Sequence, residues 1–329
     1  MNSKRIIWID WGKSICMFLV ILGHCHLKQE YITTYIYSFH MPFFFIISGL
    51  LCKDGISIDT LKKDIKYLII PYFTYGIITI FFHGIINKNQ VIDSYYYDFL
   101  YLLLGNYKEG GPIWFLLAIF FCKQLFRVIQ LTRNWNWIYY PLAVSSILYI
   151  QIINIGSINL PYHIDSALCG LPFFILGYHC KTIPNYLNQT NLLFRLLILA
   201  LLIIVTVFSS LNNGTVVLAD CMYGNNLSIY YINAILGTIV VILICGFLNS
   251  INSKFVNLMS QGTIVTLGIH GHILLFLHYY LAKTIGYYSI TYSIALGIIY
   301  SIIAQLLCIV LIQIIRHDSY AYIWGLKKY

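Results

Sequence analysis

The stretch LLFRLLILALLIIVTVFSSL occupies residues 192–211 and holds a single charged residue, Arg195, close to its start. About 20 consecutive apolar residues are enough for an α-helix to cross the hydrocarbon core of a bilayer. The run also lacks the period-two alternation of a membrane-barrel strand. It therefore predicts a transmembrane α-helix, and the fold class follows from how often such a run recurs.

Runs of similar length recur on both sides of this one. The chain of 329 residues is 60% hydrophobic and 9% charged, whereas soluble domains carry about 25% charged residues. Together these features predict an all-α membrane protein, a bundle of about ten transmembrane helices. We place the helices at about 6–26, 33–52, 65–86, 112–131, 136–155, 164–180, 192–211, 228–248, 262–282 and 289–315.

Basic residues fall mostly on one side of this predicted membrane. If the N-terminus is cytoplasmic, the inner segments and helix ends hold Lys4, Arg5, Lys53, Lys62, Lys63, Lys66, Lys123, Arg127, Arg133, Lys181, Arg195, Lys254, Arg316, Lys327 and Lys328. The outer segments hold Lys28, Lys88, Lys108 and Lys283. The positive-inside rule then predicts both termini in the cytoplasm, and a multi-pass protein of the inner (plasma) membrane with the first helix retained.

The connections between the runs are short. The longest, about 87–111 and 212–227, are too short to fold alone, so we predict one transmembrane domain over 1–329. A net charge of +9 would suit nucleic acid in a soluble protein, but the basic residues here flank apolar runs, which argues against that partner. The nine cysteines form no CxxC pair, so neither a disulfide framework nor a metal site is predicted.

Three ionisable residues occupy the first predicted helix: Asp10, Lys13 and His24. Such residues are costly inside a membrane and are functional candidates. Helical geometry separates Lys13 and His24 by about 20° in azimuth and about 16 Å along the axis, with Asp10 within about 60° of both. Asp10 and Lys13 could pair across one turn. We therefore predict that the three side chains form one polar stripe along the helix, with Lys13 and His24 at different depths in the membrane. The alternative is that Asp10 and Lys13 are a buried ion pair that only fixes helix packing.

Histidines are numerous for so apolar a chain, ten in all. His40 lies beside Pro42 in the second run, on the same side of the membrane as His24, and the ninth run adds His270 and His272. Imidazole titrates near neutrality and suits proton abstraction from a hydroxyl. Several histidines in one region therefore favour a catalytic function. The alternative for His24 alone is an interfacial residue bonded to a backbone carbonyl.

Several motifs resemble the acyltransferase-3 family of membrane acyltransferases. The signature of that family is a basic residue, ten intervening residues and a histidine in the first helix, and Lys13 through His24 fits it with Lys in place of the commoner Arg. Further similar segments are 5–10, 23–24, 39–49, 111–116 and 267–272. The resemblance covers nearly the whole chain and implies a layout of ten helices. We expect the chain to consist of this membrane module alone.

This resemblance implies acyl transfer, most often of acetyl from acetyl-CoA, to a hydroxyl of a surface glycan or its lipid-linked precursor. The catalytic candidates are then His24 as general base, His40 or an acid as its orienting partner, and Asp10, which positions Lys13. The candidates for substrate binding are Lys13, Arg5, Trp114, His270 and His272. Lys13 and Arg5 would attract the phosphates of the donor, and Trp114 is either an interfacial anchor or part of the acceptor site.

Two other classes of function would also account for a polar stripe inside a helical bundle. A transporter or flippase that exports a glycan or lipid-linked intermediate would also hold buried polar residues, but the repeat symmetry typical of transporters is not apparent in the sequence. A non-catalytic sensor or assembly subunit would tolerate replacement of His24 and Lys13. The helix-1 spacing and the histidines on one side favour the enzyme.

Overall fold

The computed structural model describes residues 5–53, 55, 57–86, 92–130, 143–147, 149, 160–181, 191–285 and 292–327. The helices of the first half are α1 (Ile7–Gly23), α2 (Glu30–Tyr37), α3 (His40–Leu50), α4 (Ile58–Asp64), α5 (Ile70–Ile86), α6 (Ile92–Leu103) and α7 (Trp114–Gln130). Those of the second half are α8 (Ile164–His179), α9 (Leu192–Asn213), α10 (Leu227–Phe247), α11 (Lys254–Gln261), α12 (Thr263–Ile285) and α13 (Ile294–Ile315).

Short elements connect these helices. A π-helical turn, Ile65–Ile69, joins α4 to α5, so that the third predicted run begins earlier than expected. A two-stranded antiparallel sheet, β1 (Val216–Val217) with β2 (Met222–Tyr223), follows α9. Turns of 3-10 helix cover Lys108–Ile113, Pro161–His163, Leu218–Asp220 and Ala321–Trp324.

One of the predicted runs is divided into two helices, and another begins at a bend. The second run forms α2 and α3, with the break just before His40. The ninth run forms the end of a bent pair, because α11 and α12 meet at Gly262 at an angle of 87°. The connection predicted at 87–111 contains a helix, α6, and the fifth predicted run, 136–155, lies largely outside the described residues.

The number of membrane spans is smaller than ten in the described part of the chain. Five helical segments there are long and apolar enough to cross a bilayer, and α11 with α12 makes a sixth if the bent pair is one span. At 17 and 16 residues, α1 and α8 are shorter than a typical span of about 20. A multi-helix membrane bundle is thus supported, while the count of ten and the cytoplasmic termini stay predictions.

The first helix lies in the middle of the bundle. It packs against α2, α3, α10, α11, α12 and α13, and most of its side chains are buried. By contrast, α9 packs on α10 and α2 and exposes a broad Leu- and Ile-rich surface, as a lipid-facing helix requires. The polar residues of α1 therefore face protein on most sides.

Close backbone contact holds α3 against α8. A Cβ atom on Gly49 would lie 1.9 Å from the carbonyl oxygen of Phe174, and one on Gly177 would lie 2.0 Å from that of Ile46. Membrane helices commonly associate through such small residues, because lipid supplies no hydrophobic force between helices. This contact fixes α3, and with it His40 at its first position, relative to the rest of the bundle.

Candidate active site

A cavity of about 330 Å³ opens at the end of the bundle where α1 stops. Its volume falls within the range of about 300–1,000 Å³ that is usual for small-molecule sites. The wall is formed by the loop after α1, by α5, by the 3-10 turn before α7, by α12 and by the start of α13. The lining residues are His24, Cys25, His26, Thr79, His83, Gly110, Gly111, Pro112, Leu267, Gly268, Gly271, His272, Leu274, Leu275, His278, Tyr292 and Tyr300.

His24 enters this wall directly after the last residue of α1. Its Nδ1 atom lies 2.7 Å from the carbonyl oxygen of Val20. A carbonyl can only accept, so Nδ1 carries the proton and Nε2 of the neutral ring is the basic nitrogen. Backbone geometry thus selects the tautomer that a general base needs.

His270 lies directly behind His24. The Nδ1 atom of His270 donates to the carbonyl oxygen of Thr266 at 2.7 Å, and its Nε2 atom lies 3.4 Å from Nδ1 of His24. The two rings meet edge to face with centroids 5.0 Å apart, and His270 is fully buried. Its position makes it a hydrogen-bond acceptor for His24, so it could stabilise an imidazolium there, but it does not line the cavity.

His40 is farther from His24 than His270 is. Its ring packs on Tyr37 at 5.1 Å between centroids, and Tyr37 in turn lies 6.3 Å from the ring of His24. The Nδ1 atom of His40 donates to the carbonyl oxygen of Ile36 at 2.8 Å, and the residue is buried without lining the cavity. The imidazole in contact with His24 is thus that of His270, and the ring of Tyr37 lies between His24 and His40.

His272 lies in the cavity wall, one residue beyond Gly271. Its ring packs edge to face on Phe82, and the structure gives its nitrogens no hydrogen bond of normal geometry within the described chain. The other histidine of α12 that lines the cavity, His278, bonds through Nδ1 to the hydroxyl of Tyr292. These side chains add nitrogen and oxygen atoms to the wall of the cavity that His24 also lines.

At the start of α1, Asp10 is 7% exposed and bonds to the guanidinium of Arg5 and the hydroxyl of Ser260. Arg5 also donates to the carbonyl oxygen of Asn257 at 2.9 Å. The expected pairing of Asp10 with Lys13 is therefore replaced by a pairing with Arg5, because α11 brings Ser260 to the opposite oxygen of the carboxylate. Asp10 ties α1 to α11 and influences Lys13 only through its charge.

Lys13 faces other cations. The charges that act on it besides Asp10 are those of Lys327, Lys123 and Arg5. Partial burial lowers the pKa of Lys327, and the neighbouring charges of Lys63, Lys123 and Lys53 lower it further. We call the set Arg5, Lys13, Lys53, Lys63, Lys123, Arg127 and Lys327 the cationic cluster, because electrostatic interactions or a shared carboxylate connect its members.

A single buried carboxylate organises part of the cationic cluster. Asp64, at the end of α4, accepts hydrogen bonds from Lys123 at 3.3 Å, from Gln124 at 3.2 Å and from Arg127. The three donors lie on α7, on adjacent turns. Asp64 therefore holds two cations of the cluster in fixed positions.

Trp114 begins α7, two residues after the cavity-lining residue Pro112. Its ring is half-buried and packs on Phe115 and on His163, at 6.0 and 5.7 Å between centroids. Trp114 does not line the cavity itself. Its two predicted roles, interfacial anchor and part of the acceptor site, stay predictions.

Sequence reasoning missed His278 and the two tyrosines of the wall. The cavity face of α12 carries Leu267, Gly268, Gly271, His272, Leu274, Leu275 and His278, spaced mainly by three, four and seven residues as one helical face requires. A search for polar residues in register with Gly271 would have found His278. The sequence gives no such signal for Tyr292 and Tyr300. Tyr292 reaches the wall because its backbone is hydrogen-bonded to the backbone of His26 and Lys28.

Within the described ranges, no group of three or more His, Cys, Asp or Glu side chains is arranged to hold a metal ion. The cavity combines a neutral imidazole of fixed tautomer with several hydrogen-bonding groups. This arrangement can remove a proton from a hydroxyl group in a partly apolar pocket.

Comparisons with known proteins add the following. The model of the acyltransferase-3 family, described as an acyltransferase domain, matches residues 6–313. The nodulation protein NolL of Sinorhizobium fredii (strain NBRC 101917 / NGR234) is 25% identical over 209 residues. The match covers 56% of this chain and 52% of NolL, so the chain spans about half the length of that curated relative. No solved structure matches the chain.

Proposed function

Because the chain belongs to the acyltransferase-3 family of membrane acyltransferases, we propose that it moves an acetyl group from acetyl-CoA to a sugar hydroxyl. The acceptor is a cell-surface polysaccharide or its lipid-linked precursor, and the enzyme lies in the plasma membrane. The observation that carries the proposal is the placement of His24, whose Nδ1 atom is hydrogen-bonded to protein while the ring lines the cavity.

In the proposed reaction, Nε2 of His24 accepts the proton of the acceptor hydroxyl as its oxygen attacks the thioester carbonyl carbon. The new C–O bond forms and the C–S bond breaks. The proton then passes from the imidazolium to the departing sulfur, which leaves as the thiol of coenzyme A. His270 lowers the free energy of the transient imidazolium, because its Nε2 lone pair faces the Nδ1 proton of His24.

The donor is bound at the opposite end of α1. Coenzyme A carries several phosphate charges, and the cationic cluster around Lys13 is the concentration of positive charge that suits them. Lys13 and His24 are eleven residues apart, about 16 Å along a helix. The acyl-bearing arm of the donor would extend along α1 from the cluster to the cavity.

The proposal is tested by replacing His24 with Ala and with Gln in a strain whose surface glycan carries the ester. Loss of a general base costs about 10²- to 10⁴-fold in rate, so ester released by mild base should fall to background in both variants. His317→Ala, in the exposed segment after α13, is the matched control. Full ester content with His24→Ala, at equal protein level, would remove the catalytic assignment.

A further inference from the structure

A glycine stands in the middle of α12 between the two histidines that were predicted to bind substrate. Gly271 follows the buried His270 and precedes His272, and it lines the cavity. Glycine inside a helix costs about 0.5–1 kcal/mol relative to alanine. Such a residue therefore needs a reason, which is usually close packing of a neighbour.

Close packing explains ten other glycines of the described α-helices, where an added Cβ atom would come within 2.6 Å of a neighbouring side chain or backbone atom. They are Gly12, Gly23, Gly49, Gly76, Gly84, Gly170, Gly177, Gly237, Gly268 and Gly297. Gly268, one turn before Gly271, would meet the ring of Tyr75 at 2.3 Å. At Gly271 an added Cβ atom would meet no atom within 4 Å. The space above Gly271 belongs to the cavity, not to the packed interior.

The walls around this space have a definite chemistry. Their polar groups are the five imidazoles of His24, His26, His83, His272 and His278, the hydroxyls of Thr79, Tyr292 and Tyr300, and the thiol of Cys25. Among described side chains no carboxylate, Lys or Arg lines the cavity. Leucines and Pro112 supply apolar surface beside these groups. Hydrogen-bonding groups next to apolar surface, without fixed charge, suit a sugar ring that is itself uncharged.

We infer that Gly271 is the floor of the acceptor site, where an uncharged sugar ring lies with one hydroxyl directed at His24. The inference rests on the proposed acyl transfer and adds the position and charge class of the acceptor. Gly271 determines the room for the ring, while His278, held by Tyr292, and His272 bound it on the same helix. An acidic sugar would find no Lys or Arg among the described side chains of this wall.

The test is a series of substitutions of increasing size, Gly271→Ala, Gly271→Leu and Gly271→Trp, in the full-length protein. An extra methyl or methylene group in a tight site changes specificity by about 10- to 200-fold. Ester transfer should therefore fall stepwise, and Gly271→Trp should reach background. The affinity of the purified variants for acetyl-CoA should stay within about twofold of wild type, because the donor phosphates are bound at the other end of α1.

Phe276→Trp is the matched control, since Phe276 is an exposed residue of α12 that does not line the cavity. Wild-type transfer by Gly271→Trp would overturn the inference, as would loss of acetyl-CoA affinity in that variant, which would assign the space to the donor. An ester found by NMR on an acidic sugar of the wild-type glycan would also overturn it. Absence of any ester from wild type would instead contradict the proposed function.

Discussion

The Nε2 atom of His270 lies 3.4 Å from the Nδ1 atom of His24. This contact joins the end of α1 to the middle of α12, and each ring also donates its Nδ1 proton to a carbonyl oxygen four residues earlier in its own helix. The two backbone bonds leave the lone pair of His270 facing the proton of His24. When Nε2 of His24 gains a proton, the positive charge on the ring is thereby stabilised by His270, a neutral and buried partner.

The first prediction concerns this partner. His270→Ala should lower the rate of acyl transfer about 10- to 100-fold, the range observed for partners that orient metal-bound histidines. The KM for acetyl-CoA should change little, because His270 lies away from the cationic cluster. Steady-state kinetics of purified protein measure both constants. His270→Gln, which can still accept a hydrogen bond, should recover part of kcat; equal kcat for His270→Ala and wild type would show that the contact has no catalytic role.

The second prediction concerns the donor end. Lys13→Ala should raise the KM for acetyl-CoA about tenfold, which corresponds to a loss of about 1.4 kcal/mol, with a smaller effect on kcat. The same KM should rise with ionic strength in wild type, because salt screens exposed charge pairs. Lys28→Ala, at the opposite end of α1, is the control. A KM that is insensitive to both Lys13→Ala and salt would exclude the cationic cluster as the phosphate site.

The third prediction concerns Asp64, which is 6% exposed and accepts from Lys123 and Arg127. Removal of one member of a buried ion pair costs about 3 kcal/mol, because the remaining charge is left uncompensated. Asp64→Asn should therefore lower the thermal midpoint of the protein in nanodiscs. Asp59→Asn, on the exposed face of the same short helix α4, should leave the midpoint unchanged. Equal midpoints for the two variants would show that the ion pairs of Asp64 contribute no more to stability than an exposed charge does.

Hydropathy and helical spacing were enough to predict a helical membrane protein and to place Lys13 and His24 on one helix. The same reasoning could not find the breaks. The bend of 87° at Gly262 falls at the edge of an apolar run, and Ile312 of α13, distant in sequence, packs against that glycine. Likewise α6 was missed because its many tyrosines and Asp98 reduce its hydropathy, although the segment packs on α5.

The candidate site was predictable in part for a similar reason. His24 follows from spacing along one helix, whereas its contact with His270 spans 246 positions of the chain. Contacts at such separation depend on how α1 and α12 pack, which no local pattern records. Asp10 illustrates the converse error: its spacing to Lys13 allowed a pair, but Ser260 of α11 and Arg5 compete for the same carboxylate.

The last prediction compares two glycines one turn apart on α12. Gly268→Ala should destabilise the protein by about 1–3 kcal/mol, the usual cost of overpacking, because its Cβ atom would meet the ring of Tyr75 at 2.3 Å. That ring is fully buried and its hydroxyl donates to the carbonyl oxygen of Trp324 at 3.0 Å, so it has little room to move. Gly271→Ala should stabilise the protein by about 0.5–1 kcal/mol, since alanine is the better helix former.

Thermal unfolding of both variants in the same nanodiscs measures this difference, and their transfer activities supply the second readout. We expect Gly268→Ala to be less stable than wild type and Gly271→Ala to be more stable yet less active. Opposite changes in stability and activity at Gly271 are what a glycine retained for substrate requires. If Gly271→Ala instead unfolds at a lower temperature than wild type, the residue serves packing, and the floor of the cavity loses its functional explanation.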